Sequence, residues 1–115
     1  MRLNRILLIP YLLTAIVYSE TLTVPGQYSS IQSAINASND QDTILVSPGF
    51  YQENIDFSGK DIVVTSTYIA EQDSLIIAST IIDGNNNGSV VEFDDSETNA
   101  AVLQGFTLQN GDGKY

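Results

Sequence analysis

Apolar positions along this chain come in short bursts separated by polar corners. Thr43–Val46 is β-branched and apolar, as buried strands are. Pro48-Gly49 stops it, because proline offers no ladder donor and fixes φ while glycine permits a sharp corner. Beyond the corner Tyr51, Glu53, Ile55 and Phe57 share one face at period two, and Gln52, Asn54 and Asp56 share the other. A strand, a corner and a strand fill residues 42–57, which leaves no length for a crossover helix. A hairpin would satisfy these residues locally, but the segments downstream favour a chain that keeps turning the same way.

Further bursts flank this stretch. Thr21–Val24 is a β-prone segment closed by Pro25-Gly26, and residues 61–65, Thr80–Asp83, 89–93, 101–103 and 105–109 read as later strands. Asparagine, aspartate, glycine and serine lie between them, the residues that tolerate tight or left-handed turns. Residues 66–79 are a more polar excursion. Only residues 30–37 carry a convincing helical period, with Ile31, Ala34 and Ile35 on one face. Ser29 and Gln32 fit a capping box at its start, and such a helix is suited to cover an exposed end of apolar β structure.

No helical period separates the later strands, so a βαβ sheet is disfavoured and an antiparallel sandwich or a parallel β-helix remains. Strands of three to five residues, and isoleucines 44, 62 and 81 spaced 18 and 19 residues apart, favour the β-helix. No Asn-Gly hairpin signal is convincing, although Asn87-Gly88 comes near. The expected interior ladders are Ile44, Val46, Ile62, Val64, Ile81 and Phe106 or Leu108, each contributing about 1.5–3 kcal/mol if fully buried.

Charge and targeting change the picture next. Arg2 and Arg5 precede an uncharged apolar run at residues 6–17, and Val17-Tyr18-Ser19 suits a signal-peptidase cut. About twelve apolar residues are too few for a membrane anchor, which needs roughly 20. The expected organisation is a signal peptide over residues 1–19 and a single β-helix segment over 20–115, with no stable membrane span once the signal is removed. The remaining chain sets Lys60 and Lys114 against 14 acidic residues, a formal charge of −12. That repels nucleic acid and anionic lipid. There is no cysteine, hence no disulfide framework.

Tyr28-Ser-Ser-Ile-Gln-Ser-Ala-Ile35, followed by Asp42-Thr-Ile-Leu-Val-Ser-Pro-Gly-Phe-Tyr-Gln-Glu-Asn-Ile55, resembles the opening of pectin methylesterases and the pectate-lyase-like superfamily. Thr80-Ile-Ile-Asp-Gly84 and Leu103-Gln-Gly-Phe-Thr-Leu-Gln-Asn-Gly111 resemble further rungs of secreted bacterial β-helix proteins. The resemblance spans about residues 21–113. It implies an all-β, right-handed parallel β-helix with one amino-terminal capping helix, incomplete at the carboxyl end, where no second cap is evident. It also implies secretion or display at the cell surface, and polysaccharide or cell-surface glycan as partner.

The residues that carry the resemblance build corners and rungs. Pro48 and Gly49 make the corner, Tyr51 packs it and Glu53 accepts from a nearby amide. Asn110, like Asn85, Asn86 and Asn87, is placed where stacked asparagines bond along the axis of such proteins. Catalysis lacks its parts: there is no histidine, and arginine occurs only at positions 2 and 5. The resembled esterases use two aspartates with an arginine, and the lyases use a basic residue as the base. No catalytic residue is therefore assigned, and any catalytic rungs are expected beyond Tyr115. Asp94, Asp95 and Glu97 are candidate calcium ligands, since calcium prefers several carboxylates and carbonyls. The expected function is a non-catalytic scaffold that binds glycan or a partner. The alternatives are the front part of a polysaccharide lyase or carbohydrate esterase, and the stalk of an adhesin.

Overall fold

The computed structural model describes residues 18–113. Residues 1–17, which hold most of the expected export signal, lie outside the described residues, as does Lys114. The described chain is mostly β, with parallel strands and few helices. Its elements are β1 (Thr21–Val24), α1 (Ile31–Ala37), β2 (Thr43–Val46), β3 (Gly49–Gln52), β4 (Ile55–Asp56), β5 (Val63–Ser66), α2 (Tyr68–Glu71), α3 (Ser74–Ser79), β6 (Thr80–Asp83), β7 (Val91–Glu92), β8 (Val102–Gln104) and β9 (Thr107–Gln109).

These strands sort into three sheets, of order β1-β2-β5-β8, β3-β6-β9 and β4-β7. Every pairing is parallel. Register turns the period-two pattern into columns. Leu22 lies beside Ile44, Ile44 beside Val64 and Val64 beside Leu103. Val24 lies beside Val46, and Val46 beside Ser66. Ile44, Val46 and Val64 have no exposure, and Leu22 is buried too. They form one cluster with Ile55, Phe57, Ile62 and Ile82. A one-residue slip in any of these strands would turn its buried set outward, which is why the register is strongly specified.

One expected ladder position moves. Ile82, not Ile81, is the buried isoleucine of β6, in register with Tyr51 and Leu108. Ile81 instead stands beside Phe50 and Thr107 on the other face, where Phe50 is exposed. Two adjacent isoleucines are equivalent by composition, and the partner strand decides between them. The three-isoleucine column is likewise replaced: Ile44 pairs with Val64, while Ile62 precedes β5 and accepts the Val102 N–H through its carbonyl at 3.0 Å. Phe106 packs against the core, whereas Leu108 is 46% exposed.

The polar excursion at residues 66–79 is also corrected, because it folds into α2 and α3. Asp73 caps α3 by accepting the Leu75 N–H at 2.9 Å. Several strand bounds shift by one or two residues: residues 61–65 yield Val63–Ser66, 89–93 yield Val91–Glu92, 101–103 yield Val102–Gln104, and 105–109 yield Thr107–Gln109. Gly105 turns the chain between β8 and β9 with φ +83°, a left-handed value that suits glycine, and a Cβ there would collide with the Ser66 hydroxyl.

Helix α1 lies over β1, β2 and β4, with Ile31, Ala34 and Ile35 fully buried. Its cap is one residue later than expected. Ser30 is the N-cap and accepts the Ser33 N–H at 3.1 Å, while the Ser33 hydroxyl accepts the Ser30 N–H at 3.3 Å. Gln32 does not reach back to Ser29. Its amide spans to the backbone of Asp56, accepting the Asp56 N–H at 2.8 Å and donating to the Asp56 carbonyl at 3.0 Å. Ser30→Ala should therefore cost about 1 kcal/mol through the lost cap. Ser29→Ala should cost less than about 0.5 kcal/mol, as at ordinary surface sites. Urea unfolding of both variants checks this.

Candidate functional site

Two charged residues hold α1 from outside it. Both carboxylate oxygens of Glu53 accept from its first turn, from the Ile31 N–H at 2.9 Å and the Gln32 N–H at 3.0 Å. These are donors that a helix start otherwise leaves unpaired, and a negative charge there also complements the helix dipole. At the other end Lys60 donates to the carbonyls of Ile35, Asn36 and Ser38 at 2.7, 3.1 and 2.7 Å. Tyr51 donates from its hydroxyl to the Ser47 carbonyl at 2.7 Å, across the Pro48-Gly49 corner. Burial and then the nearby Glu53 charge raise the Tyr51 pKa, so the phenol stays protonated and a donor. A Cβ on Gly49 would press on the Tyr51 ring at 3.3 Å. Glu53 and Tyr51 thus spend their polar atoms on the scaffold.

The sequence candidates Asp94, Asp95 and Glu97 do come together, in the turn after β7, and Asp56 joins them from β4. One oxygen of each lies within 4.8 Å of the others, so the cluster of four could hold a metal ion. Its base is aromatic. Phe57 and Phe93 follow the paired strand ends Asp56 and Glu92, and their rings stack at 4.2 Å between centroids. This stacking fixes where the acidic turn leaves the sheet.

Electrostatics inside the cluster are uneven. The Asp94 charge does most to raise the pKa of Asp95, followed by local desolvation and the charges of Asp56 and Glu97. Partial burial pushes Glu97 up as well, but backbone amides outweigh it, above all the Gly59 N–H at 2.7 Å, and its pKa falls below the ordinary value. Oxygen ligands at about 2.4 Å from a calcium ion lie at most about 4.8 Å apart, which matches this spacing, and an all-carboxylate set suits hard cations. Asp56 is the ligand that sequence reasoning missed. It ends β4, and nothing local links it to a turn so far along the chain.

A second polar centre lies at the asparagine corners. Asp83, at the end of β6 and only 6% exposed, accepts from Gln109 Nε2 at 2.8 Å, the Asn85 N–H at 2.7 Å and Asn110 Nδ2 at 2.7 Å. Asn85, Asn86 and Asn110 all have φ +54°, left-handed values that asparagine tolerates. The expected asparagine-on-asparagine stack is replaced by bonds converging on Asp83, with Asn86 N–H donating to the Asn110 carbonyl at 2.8 Å. Beside this corner an open cleft of about 360 Å³ is lined by Asn86, Asn87, Gly88, Ser89, Glu92 and Asp112.

The Gln109 amide, then the Asn85 N–H and Asn110, hold the Asp83 pKa below its ordinary value. A depressed folded-state pKa gives stability that is present above the unfolded value of about 3.9 and is lost as pH falls through the folded value. Asp83→Asn should remove that acid-sensitive part. Melting temperatures from pH 6 to 3 should fall more steeply for the wild type than for the variant; parallel curves would contradict the assignment.

No model of a known protein family, no curated protein and no solved structure matches this chain. Among the described residues no helix is long and apolar enough to cross a membrane.

Proposed function

We propose that this chain is a secreted or cell-surface scaffold of the right-handed parallel β-helix type. It binds glycan on its asparagine-rich corner and takes calcium at Asp56, Asp94, Asp95 and Glu97. The observation that carries the reading is the order of the strands. Successive strands enter the same three parallel sheets in chain order, with α1 over the first. A chain that returns to each sheet in turn is a chain that coils, and coiled parallel chains offer long faces for extended ligands. The cleft at Asn86, Asn87, Ser89 and Glu92 supplies amide, hydroxyl and carboxylate groups, which suit the many hydroxyls of a sugar. The polar atoms of Tyr51 and Glu53 are engaged with backbone, which favours binding over catalysis in this segment.

An array of neutral and acidic polysaccharides tests the glycan reading. Retention of one polysaccharide class without change in its chain length or esterification is expected, weakened about tenfold, or about 1.4 kcal/mol, by Asn87→Ala with Glu92→Ala. Turnover of the polysaccharide, or no retention at all, would overturn it. Calcium is tested separately. Ligand at 100 times its dissociation constant adds about 2.7 kcal/mol of stability, so millimolar calcium should raise the melting temperature and a chelator should reverse it. Asp95→Asn should abolish the response and, without calcium, raise the melting temperature by relieving repulsion. An unchanged melting temperature in calcium would remove the metal from the reading.

A further inference from the structure

Asparagine followed by glycine occurs twice in this chain, at Asn87-Gly88 and at Asn110-Gly111. Such a pair is chemically weak, because glycine has no side chain to keep its backbone nitrogen away from the preceding side-chain amide. The first pair lies in the turn after β6 and the second directly after β9, and both asparagines are exposed. Exposure does not separate them, but their partners do. Asn110 is held: its Nδ2, the atom that would have to leave, donates to Asp83 at 2.7 Å, and its carbonyl accepts the Asn86 N–H at 2.8 Å. A Cβ on Gly111 would meet Val90 at 3.0 Å, so the space over that glycine is already filled.

Asn87 differs at each of these points. Among the described residues nothing hydrogen-bonds to its side chain or to the Gly88 N–H. A Cβ on Gly88 would have nothing within 4 Å, so the Asn87 side chain has room to fold back over the glycine. The backbone around it is anchored, with the Asn87 N–H donating to the Gly84 carbonyl at 3.0 Å and the Gly88 carbonyl accepting the Asp112 N–H at 2.8 Å. We propose that Asn87 is a site of spontaneous deamidation in the folded protein, and that its contacts protect Asn110. The Gly88 nitrogen gives up its proton to hydroxide and bonds to Asn87 Cγ. The Cγ–Nδ2 bond then breaks, and the nitrogen takes a proton from water and leaves as ammonia, which closes a succinimide ring. Water adds to one of the two ring carbonyls and breaks the bond from that carbon to nitrogen, giving aspartate or isoaspartate. Asn87 lines the cleft together with Glu92 and Asp112, so the new carboxylate joins two already there. The cleft becomes more acidic, whatever ligand it takes.

Peptide mapping by mass spectrometry tests this, on the folded protein incubated at mildly alkaline pH and on the same protein incubated in urea. In the folded protein Asn87 should convert at least about tenfold faster than Asn110, because only Asn87 can bring its reacting groups together. Both aspartate and isoaspartate should appear at position 87, as a ring intermediate requires. In urea the contacts of Asn110 are gone, and the ratio of the two rates should fall close to one. Equal rates in the folded protein, or faster conversion at Asn110, would overturn the proposal. A ratio that persists in urea would overturn it too, since local sequence rather than the fold would then be protecting Asn110. Aspartate without isoaspartate would exclude attack by the Gly88 nitrogen.

Discussion

Ile35→Asp is expected to destabilise the fold by roughly 3–5 kcal/mol, because it places an unpaired charge in a fully buried position. Ile35 sits on the inner face of α1 with Ile31 and Ala34, all without exposure, and the nearest cation is committed. Lys60 donates to three carbonyls at the end of α1, including that of Ile35 itself. To neutralise the new carboxylate, Lys60 would have to abandon those acceptors. Ile35→Ala separates charge from size: it leaves a cavity without a buried charge and should cost about 2–5 kcal/mol. Both losses should appear in equilibrium urea unfolding. A loss under about 1 kcal/mol for Ile35→Asp would mean that α1 is a detachable surface element rather than the cover of the first strands.

The second large effect is expected at the aromatic base of the acidic cluster. Phe57 has no exposure and stacks on Phe93. Phe57→Ala should cost about 3–5 kcal/mol, the usual range for emptying an aromatic core site. Phe93 is 47% exposed, so Phe93→Ala should cost only about 1 kcal/mol, mainly the stacking contact. Because the ring pair joins the β7 turn to β4, both variants should also weaken the calcium binding proposed for Asp56, Asp94, Asp95 and Glu97. Comparable losses of stability in the two variants would contradict the burial of Phe57.

Where composition changes abruptly, strand bounds were legible. Thr21–Val24, Thr43–Val46 and Thr80–Asp83 are found with their expected limits, because β-branched bursts there stop at Pro-Gly or Gly-Asn corners. Facing could not be read from adjacent apolar pairs. Only the pairing of Tyr51 with Ile82 turns Ile82 inward and Ile81 outward. Helices of four and six residues at α2 and α3 are too short for a period to show, although Asp73 before Ser74-Leu-Ile-Ile carried an N-cap signal. The cap of α1 slipped by one residue because Ser29 and Ser30 are chemically the same. The carboxylates Asp94, Asp95 and Glu97 were visible as neighbours in sequence. Asp56 and the two supports of α1, Glu53 and Lys60, were not assigned to these partners, because they reach them across 20 or more residues that no local pattern spans.

The central claim is that successive strands lie side by side in parallel register, and engineered cysteine pairs test it most directly, since the chain has none of its own. A disulfide forms when Cα atoms are about 4.4–6.8 Å apart, a distance met by register partners across adjacent strands and not by distant residues. Thr43→Cys with Val63→Cys, and Phe50→Cys with Ile81→Cys, are such partners in two different sheets. Both pairs should oxidise rapidly in the folded protein and raise its stability. Leu45→Cys with Gln52→Cys would be partners only if β2 and β3 formed a hairpin around Pro48-Gly49, and that pair should stay reduced. Oxidation of the Leu45–Gln52 pair, with the two register pairs left free, would contradict the account.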